Sequence, residues 1–224
     1  MRNFIIPFLI LAVAACQVKK TQEVEVKVTG ALMEIMHQGK IGATIDTDTL
    51  SHENLFGLGA AEALSGEILI LNGVVYHAFV SDSIAMVNRM EAKASLLVYA
   101  HVQKWDTLKV SEFEDVSELI KEKLPDGSFP FLLIGSPASV KYHVINYDSK
   151  TTDISNHKEG AFRGEFNNEA VTILGFYSTE AKGIYTHHDS DVHMHVITAE
   201  GSMMGHVDEL ETGDGEFNLL IPRQ

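Results

Sequence analysis

The chain has 224 residues, 45% of them hydrophobic, a formal net charge of −14 and one cysteine. That length supports a globular body with a real core, and the acidic balance argues against nucleic-acid contact or an anionic-membrane-binding face. A single cysteine excludes an internal disulfide framework.

Residues 1–20, MRNFIIPFLILAVAACQVKK, begin with Arg2 as a short positive segment and continue through an apolar run from Phe4 to Val13. They close on Val13-Ala14-Ala15-Cys16. Residues 1–15 read as an export signal, too short for a permanent membrane span. The small residues ahead of the only cysteine resemble the lipobox of bacterial lipoproteins, in which the cysteine becomes the lipidated first residue. Cys16 is therefore the expected lipidation site, and the protein an exported, membrane-anchored lipoprotein at the periplasmic face or cell surface. Residues 16–27 are polar and read as the linker to a domain spanning 28–224.

Ala31 to His37 has a helical apolar face and ends near Gly39, with His37 at the surface. Polar turns and the segment FGLGA follow. Ser65 to His77 carries two β-rich apolar runs joined by Asn72-Gly73, a strong hairpin signal, and Glu67 opens the first run. Glu112 to Lys123 is amphipathic, acidic early and basic late, and predicts a helix stopped by Pro125-Asp126-Gly127. Phe129–Ile134 and Val140–Ile145 predict two strands, the second containing His143, and Glu169–Tyr177 another. Residues 178–182 read as a turn or short helical step, and Phe217–Ile221 as the last strand. Many strands, few short helices and no regular β-α alternation predict the α+β class, with mostly antiparallel or mixed sheets.

Five of the 11 histidines lie between Tyr185 and Glu209. His193 and His195 form an H-x-H pair in the strand-like run VHMHVIT, and residues two apart on a strand share a face. A turn centred on Glu200-Gly201 places His206 opposite His195 on the return strand. Three imidazoles on one hairpin face, with a fourth position open, match the requirement of a catalytic zinc site. His187 and His188 precede the polar run Asp189-Ser190-Asp191 and read as surface histidines, with the rim of the site as the alternative.

The ordered motifs resemble those of bacterial α-acetolactate decarboxylases. That family has an I-x-G-F strand, a T/S-P/T-E step, a K-G-I/L segment, an H-x-H strand and a G-H-V/L return. Here the strand is Ile173-Leu174-Gly175-Phe176, followed by Ser178-Thr179-Glu180 and Lys182-Gly183-Ile184. His193-Met194-His195 and Gly205-His206-Val207 come next, the third histidine 11 positions after the second, as in the family. Nearer the N-terminus, Phe56 to Ala60 is similar to the family's F-G-L-G-T, and Ser65-Gly66-Glu67 to its D-G-E. The resemblance is collinear from about Ala31 to Pro222.

The resemblance implies a lyase converting acetolactate to acetoin and CO2, with Zn2+ held by His193, His195 and His206. Acetolactate is a β-keto acid whose hydroxyl and ketone can chelate one ion, so that zinc acts as a Lewis acid on the carbonyl. Glu67 takes the place of the carboxyl that assists the proton step or positions the substrate. His143 falls where the family has an arginine, which removes a fixed charge and a bidentate fork. Lys141, two residues earlier, is the candidate to compensate. The family's C-terminal glutamate also has no counterpart, and Glu169, Glu180 and Asp208 are the candidates to stand in for it. The loop from Tyr185 to Val192 is longer than the family's usual spacing. Two other readings stay open: a surface lipoprotein that binds a metal or small hydroxy-keto acid without turnover, and a metal-dependent lyase for a related acid. The expected partner is a small acetolactate-like substrate, and the sequence leaves a homodimer open.

Overall fold

The structure, a computed structural model, describes residues 24–223 except 112, 124–126 and 151. The expected export signal, Cys16 and the first part of the linker lie outside the described residues. Val24 and Val26 already pack against the main core, within the stretch read as linker. Strand β1 (Lys27–Thr29) leads to helix α1 (Leu32–Gln38), then β2 (Ile45–Asp46), β3 (Leu55–Ala61), β4 (Glu67–Leu71) and β5 (Val74–Ser81). β6 (Ile84–Arg89) and β7 (Lys93–His101) complete a sheet of order β1-β7-β3-β4-β5-β6, with β2 also pairing β7.

The chain then crosses to a second sheet through β8 (Trp105–Val110), helix α2 (Val116–Lys123), β9 (Ser128–Gly135), β10 (Ser139–Val144) and β11 (Phe162–Phe166). β12 (Val171–Ser178), β13 (Val192–Thr198), β14 (Met204–Glu211) and β15 (Phe217–Pro222) finish it, in the order β11-β10-β14-β13-β12-β9-β15-β8. Antiparallel sheets with two short helices among the described residues are the α+β arrangement predicted from the strand pattern. No helix among the described residues is long and apolar enough to cross a membrane.

Period-two alternation decides which side chains meet between the sheets. On β4, Glu67 and Leu69 face inward, while Ile68 and Ile70 join a smaller core on the sheet's outer face with Leu55 and Leu97. Leu58, Leu69 and Leu96 share the main core with Ile173, Leu174 and Val196 of the second sheet. β7 is buried on both faces from Ala94 to Val98, so Leu96-Leu97-Val98 is apolar without alternation, and the buried Ser95 beside it donates to the Ile41 carbonyl at 2.5 Å.

Turn chemistry sets the registers. Asn72 and Gly73 both have positive φ, 49° and 81°, as a two-residue type I′ turn requires, and Leu71 pairs with Val74. α1 ends at Gly39, whose left-handed φ of 63° lets its N–H reach the Ile35 carbonyl. α2 is shorter than its amphipathic pattern suggests. Asp115 accepts a hydrogen bond from the Glu118 N–H at 2.8 Å, so it caps the helix and leaves Phe113 and Glu114 before it. Gly205, just ahead of His206, is required by close approach: a Cβ there would sit 2.4 Å from the His143 carbonyl oxygen.

Candidate metal centre

β13 carries His193 and His195 on one face, and the turn after Thr198 pairs His195 with His206 and Ile197 with Met204, the expected register. One ring nitrogen from each of the three histidines lies within 4.8 Å of the others. His193 Nε2 is 3.1 Å from His206 Nδ1. His195 is fully buried, and its Nδ1–H donates across the sheet interface to the Ile68 carbonyl at 2.9 Å. That bond turns Nε2 toward the other two rings, where it is buried without a hydrogen-bond partner. A buried polar atom left unpaired costs about 1–3 kcal/mol, so an ion at this point meets an existing need.

Electrostatics favour the ligating form. Burial depresses the His195 imidazole to about 3, and burial with neighbouring histidines holds His193 and His206 well below their ordinary value. All three are neutral near pH 7, the state in which imidazole binds a metal ion. These donors fit a divalent ion that accepts nitrogen ligands.

Glu67 approaches from the opposite sheet. Its Oε1 accepts from the Ile145 N–H at 3.1 Å, and its Oε2 lies 3.4 Å from His195 Nε2. Burial pushes the carboxyl up to about 6, against the opposing pull of His143 and the Ile145 N–H. On β10, His143 sits opposite His206, its Nε2 4.0 Å from Glu67. Its Nδ1 lies 2.8 Å from Asp208, whose carboxyl stays below its ordinary value because the bond and charge of His143 outweigh burial. A β-bulge produces this contact. Lys141 pairs with Glu209 and Tyr142 with Val207, so Asp208 is the extra residue on β14 and is re-aimed at His143.

The expected residues Glu67, His143, His193 and His206 therefore line one inner cavity of about 60 Å³, walled by Leu32, Ile35, Leu64 and Ile145. Some assignments change. Lys141 is exposed and paired with Glu209 at 2.6 Å, so it does not restore the missing charge. Glu169 and Glu180 are exposed, and of the three acidic candidates Asp208 alone reaches the cluster, through His143. His187 is no free surface residue: it is half-buried, lines the cavity and has its ring 5.8 Å from that of His206. His188 and His37 are exposed. Lys158 also lines the cavity, from a polar loop with no periodicity or motif to mark it.

Residues 27–222 match the family model described as alpha-acetolactate decarboxylase. A curated alpha-acetolactate decarboxylase of Methanosarcina mazei is 28% identical over 181 residues. That match covers 74% of this chain and 59% of the relative, so the chain spans less than two thirds of that relative's length. The crystal structure of alpha-acetolactate decarboxylase from Bacillus subtilis strain 168 superposes with a TM-score of 0.72 at 18% identity, covering 88% of this chain and 86% of that one. A Staphylococcus aureus protein of unknown function, described as similar to alpha-acetolactate decarboxylase, gives 0.71 at 19% identity, covering 88% and 85%. The structural likenesses carry the fold, and the family match runs through both sheets and all three histidines: the chain belongs to the alpha-acetolactate decarboxylase family.

Proposed function

We propose that this protein is a zinc-dependent lyase that decarboxylates 2-acetolactate to acetoin and CO2. The observation that carries the reading is the cluster of three neutral, metal-competent histidines, two of which line one inner cavity together with the buried Glu67 carboxyl, itself raised to about 6. His193, His195 and His206 would hold the ion, with His195 fixed in tautomer and direction by the Ile68 carbonyl. Zinc, when bound, supplies Lewis acidity to the ketone and hydroxyl oxygens of the substrate.

The chain's own residues account for the rest. As the bond to the carboxylate breaks and CO2 leaves, its electron pair moves onto the ketone, and a proton must then reach carbon to give acetoin. Glu67 is the proton holder: near neutral pH a carboxyl raised to about 6 gives up a proton and regains it readily. His143, 4.0 Å away and oriented by Asp208, provides a route to resupply it. The apolar wall of Leu32, Ile35, Leu64 and Ile145 limits water around the reacting carbon.

The direct test is acetoin formation from racemic acetolactate by the zinc-loaded protein lacking residues 1–16, with spontaneous CO2 loss subtracted. Zinc-dependent acetoin above background is expected. Zinc bound at one equivalent with no acetoin above background would overturn the lyase reading and favour ligand capture without turnover.

We further propose that the protein is exported and lipidated at Cys16, supported by the apolar run and small residues before the only cysteine. Incorporation of labelled palmitate that Cys16→Ala abolishes is the expected result; incorporation unchanged in the variant would refute it.

A further inference from the structure

A substrate such as acetolactate carries a carboxylate, and among the described residues most cations near the three histidines are already matched by an acidic partner. His143 is matched to the Asp208 carboxylate. Other cations nearby are already engaged. Lys141 pairs with Glu209, and Lys121 and Lys182 both pair with Asp191. Arg163, on the strand beside His143, is 60% exposed and directed at Asp208.

Lys158 differs from all of these. It makes no ion pair among the described residues, is half-buried, and lines the inner cavity together with His143, His187, His193 and His206. With His187 and His206 it also lines an outer cavity of about 410 Å³, so it stands at the boundary between the two. Its position is set by a folded loop. His157 and Ala161 donate backbone hydrogen bonds to the Ile154 and Lys158 carbonyls, and Arg163 Nη2 also reaches the Lys158 carbonyl. Its charge is felt at Glu67 on β4 and at His206 and Asp208 on β14, groups on two strands that face each other across the cluster.

We propose that Lys158 is the carboxylate anchor of this site, its ammonium binding the carboxylate of a 2-hydroxy-3-keto acid at the boundary of the inner and outer cavities. The inference rests on the lyase reading above and names a residue for its substrate specificity. Held there, the substrate directs its hydroxyl and ketone toward the histidines and its departing CO2 toward the outer cavity. A lone ammonium suits this task because it is a point charge and not a bidentate clamp. The carboxylate loses its charge as CO2 forms, so the ion pair is stronger in the ground state than in the transition state. Its removal therefore raises KM without lowering kcat.

The test compares wild type, Lys158→Gln and Lys158→Arg, all zinc-loaded. Calorimetric titration uses 2,3-dihydroxy-2-methylbutanoate, which keeps the carboxylate but cannot lose CO2 by this route, and butane-2,3-diol, which lacks the carboxylate. Lys158→Gln is expected to weaken the acid about 10- to 100-fold, leave the diol unchanged and raise KM by a similar factor. Lys158→Arg is expected to retain most of the acid affinity. Acid binding that is equal in wild type and Lys158→Gln, in a protein that makes acetoin, would overturn the anchor and leave the lyase reading intact. Equal weakening of acid and diol would also overturn it, by making Lys158 a structural residue. A wild type that binds neither probe and makes no acetoin would overturn the lyase reading and the anchor with it.

Discussion

His195→Ala is expected to lose more than about 90% of its zinc on dialysis, and zinc-dependent acetoin formation is expected to fall to the spontaneous background. His195 is the most buried of the three histidines, and the Ile68 carbonyl fixes both its tautomer and its direction. Outer-shell partners of a metal typically account for 10–100-fold in affinity, and removal of a ligand from a three-ligand set should exceed about 100-fold. Elemental analysis after dialysis reads the result, beside His187→Ala. His187 sits 5.8 Å from His206, ring to ring, but is outside the three-histidine set, so its variant should keep its zinc. Loss of a buried ring also leaves a cavity, and thermal unfolding of both variants in chelator separates that effect from metal loss. Equal zinc retention in the two variants would sink the ligand assignment.

The histidine hairpin is legible in the sequence because two local rules fix it. The period of two puts His193 and His195 on one face, and a turn centred on Glu200-Gly201 leaves a single antiparallel partner for His195. The Asn72-Gly73 hairpin is legible for the same reason, since its turn residues specify the register. Other parts leave no such local mark. β7 is buried on both faces, so Leu96 to Val98 shows no alternation, and the strands β6 to β8 go unassigned from pattern alone. The α2 boundary depends on Asp115 acting as a cap, although acidic residues begin earlier. The Asp208–His143 contact depends on a bulge, which shifts the register by one residue within a strand whose pattern looks regular. Lys158 and His187 reach the site from loops, and loop approach is decided by tertiary packing, not by spacing.

Glu67→Gln is expected to keep its full complement of zinc while acetoin formation falls about 10²- to 10⁴-fold, the range associated with loss of a positioned acid–base group. The substitution preserves volume, and the amide oxygen can still accept from the Ile145 N–H, so the cross-sheet contact survives. What it removes is the carboxyl to which the proposed lyase reading assigns the proton transfer. Burial is the dominant influence on that carboxyl and raises it to about 6. Glutamine in the same place is neutral at every pH and cannot cycle. Zinc content and affinity for 2,3-dihydroxy-2-methylbutanoate should both match wild type, which confines the loss to the chemical step. A rate within about threefold of wild type would mean that the proton comes from another source, with His143 next in line because its Nε2 lies 4.0 Å from Glu67 and Asp208 holds its other nitrogen.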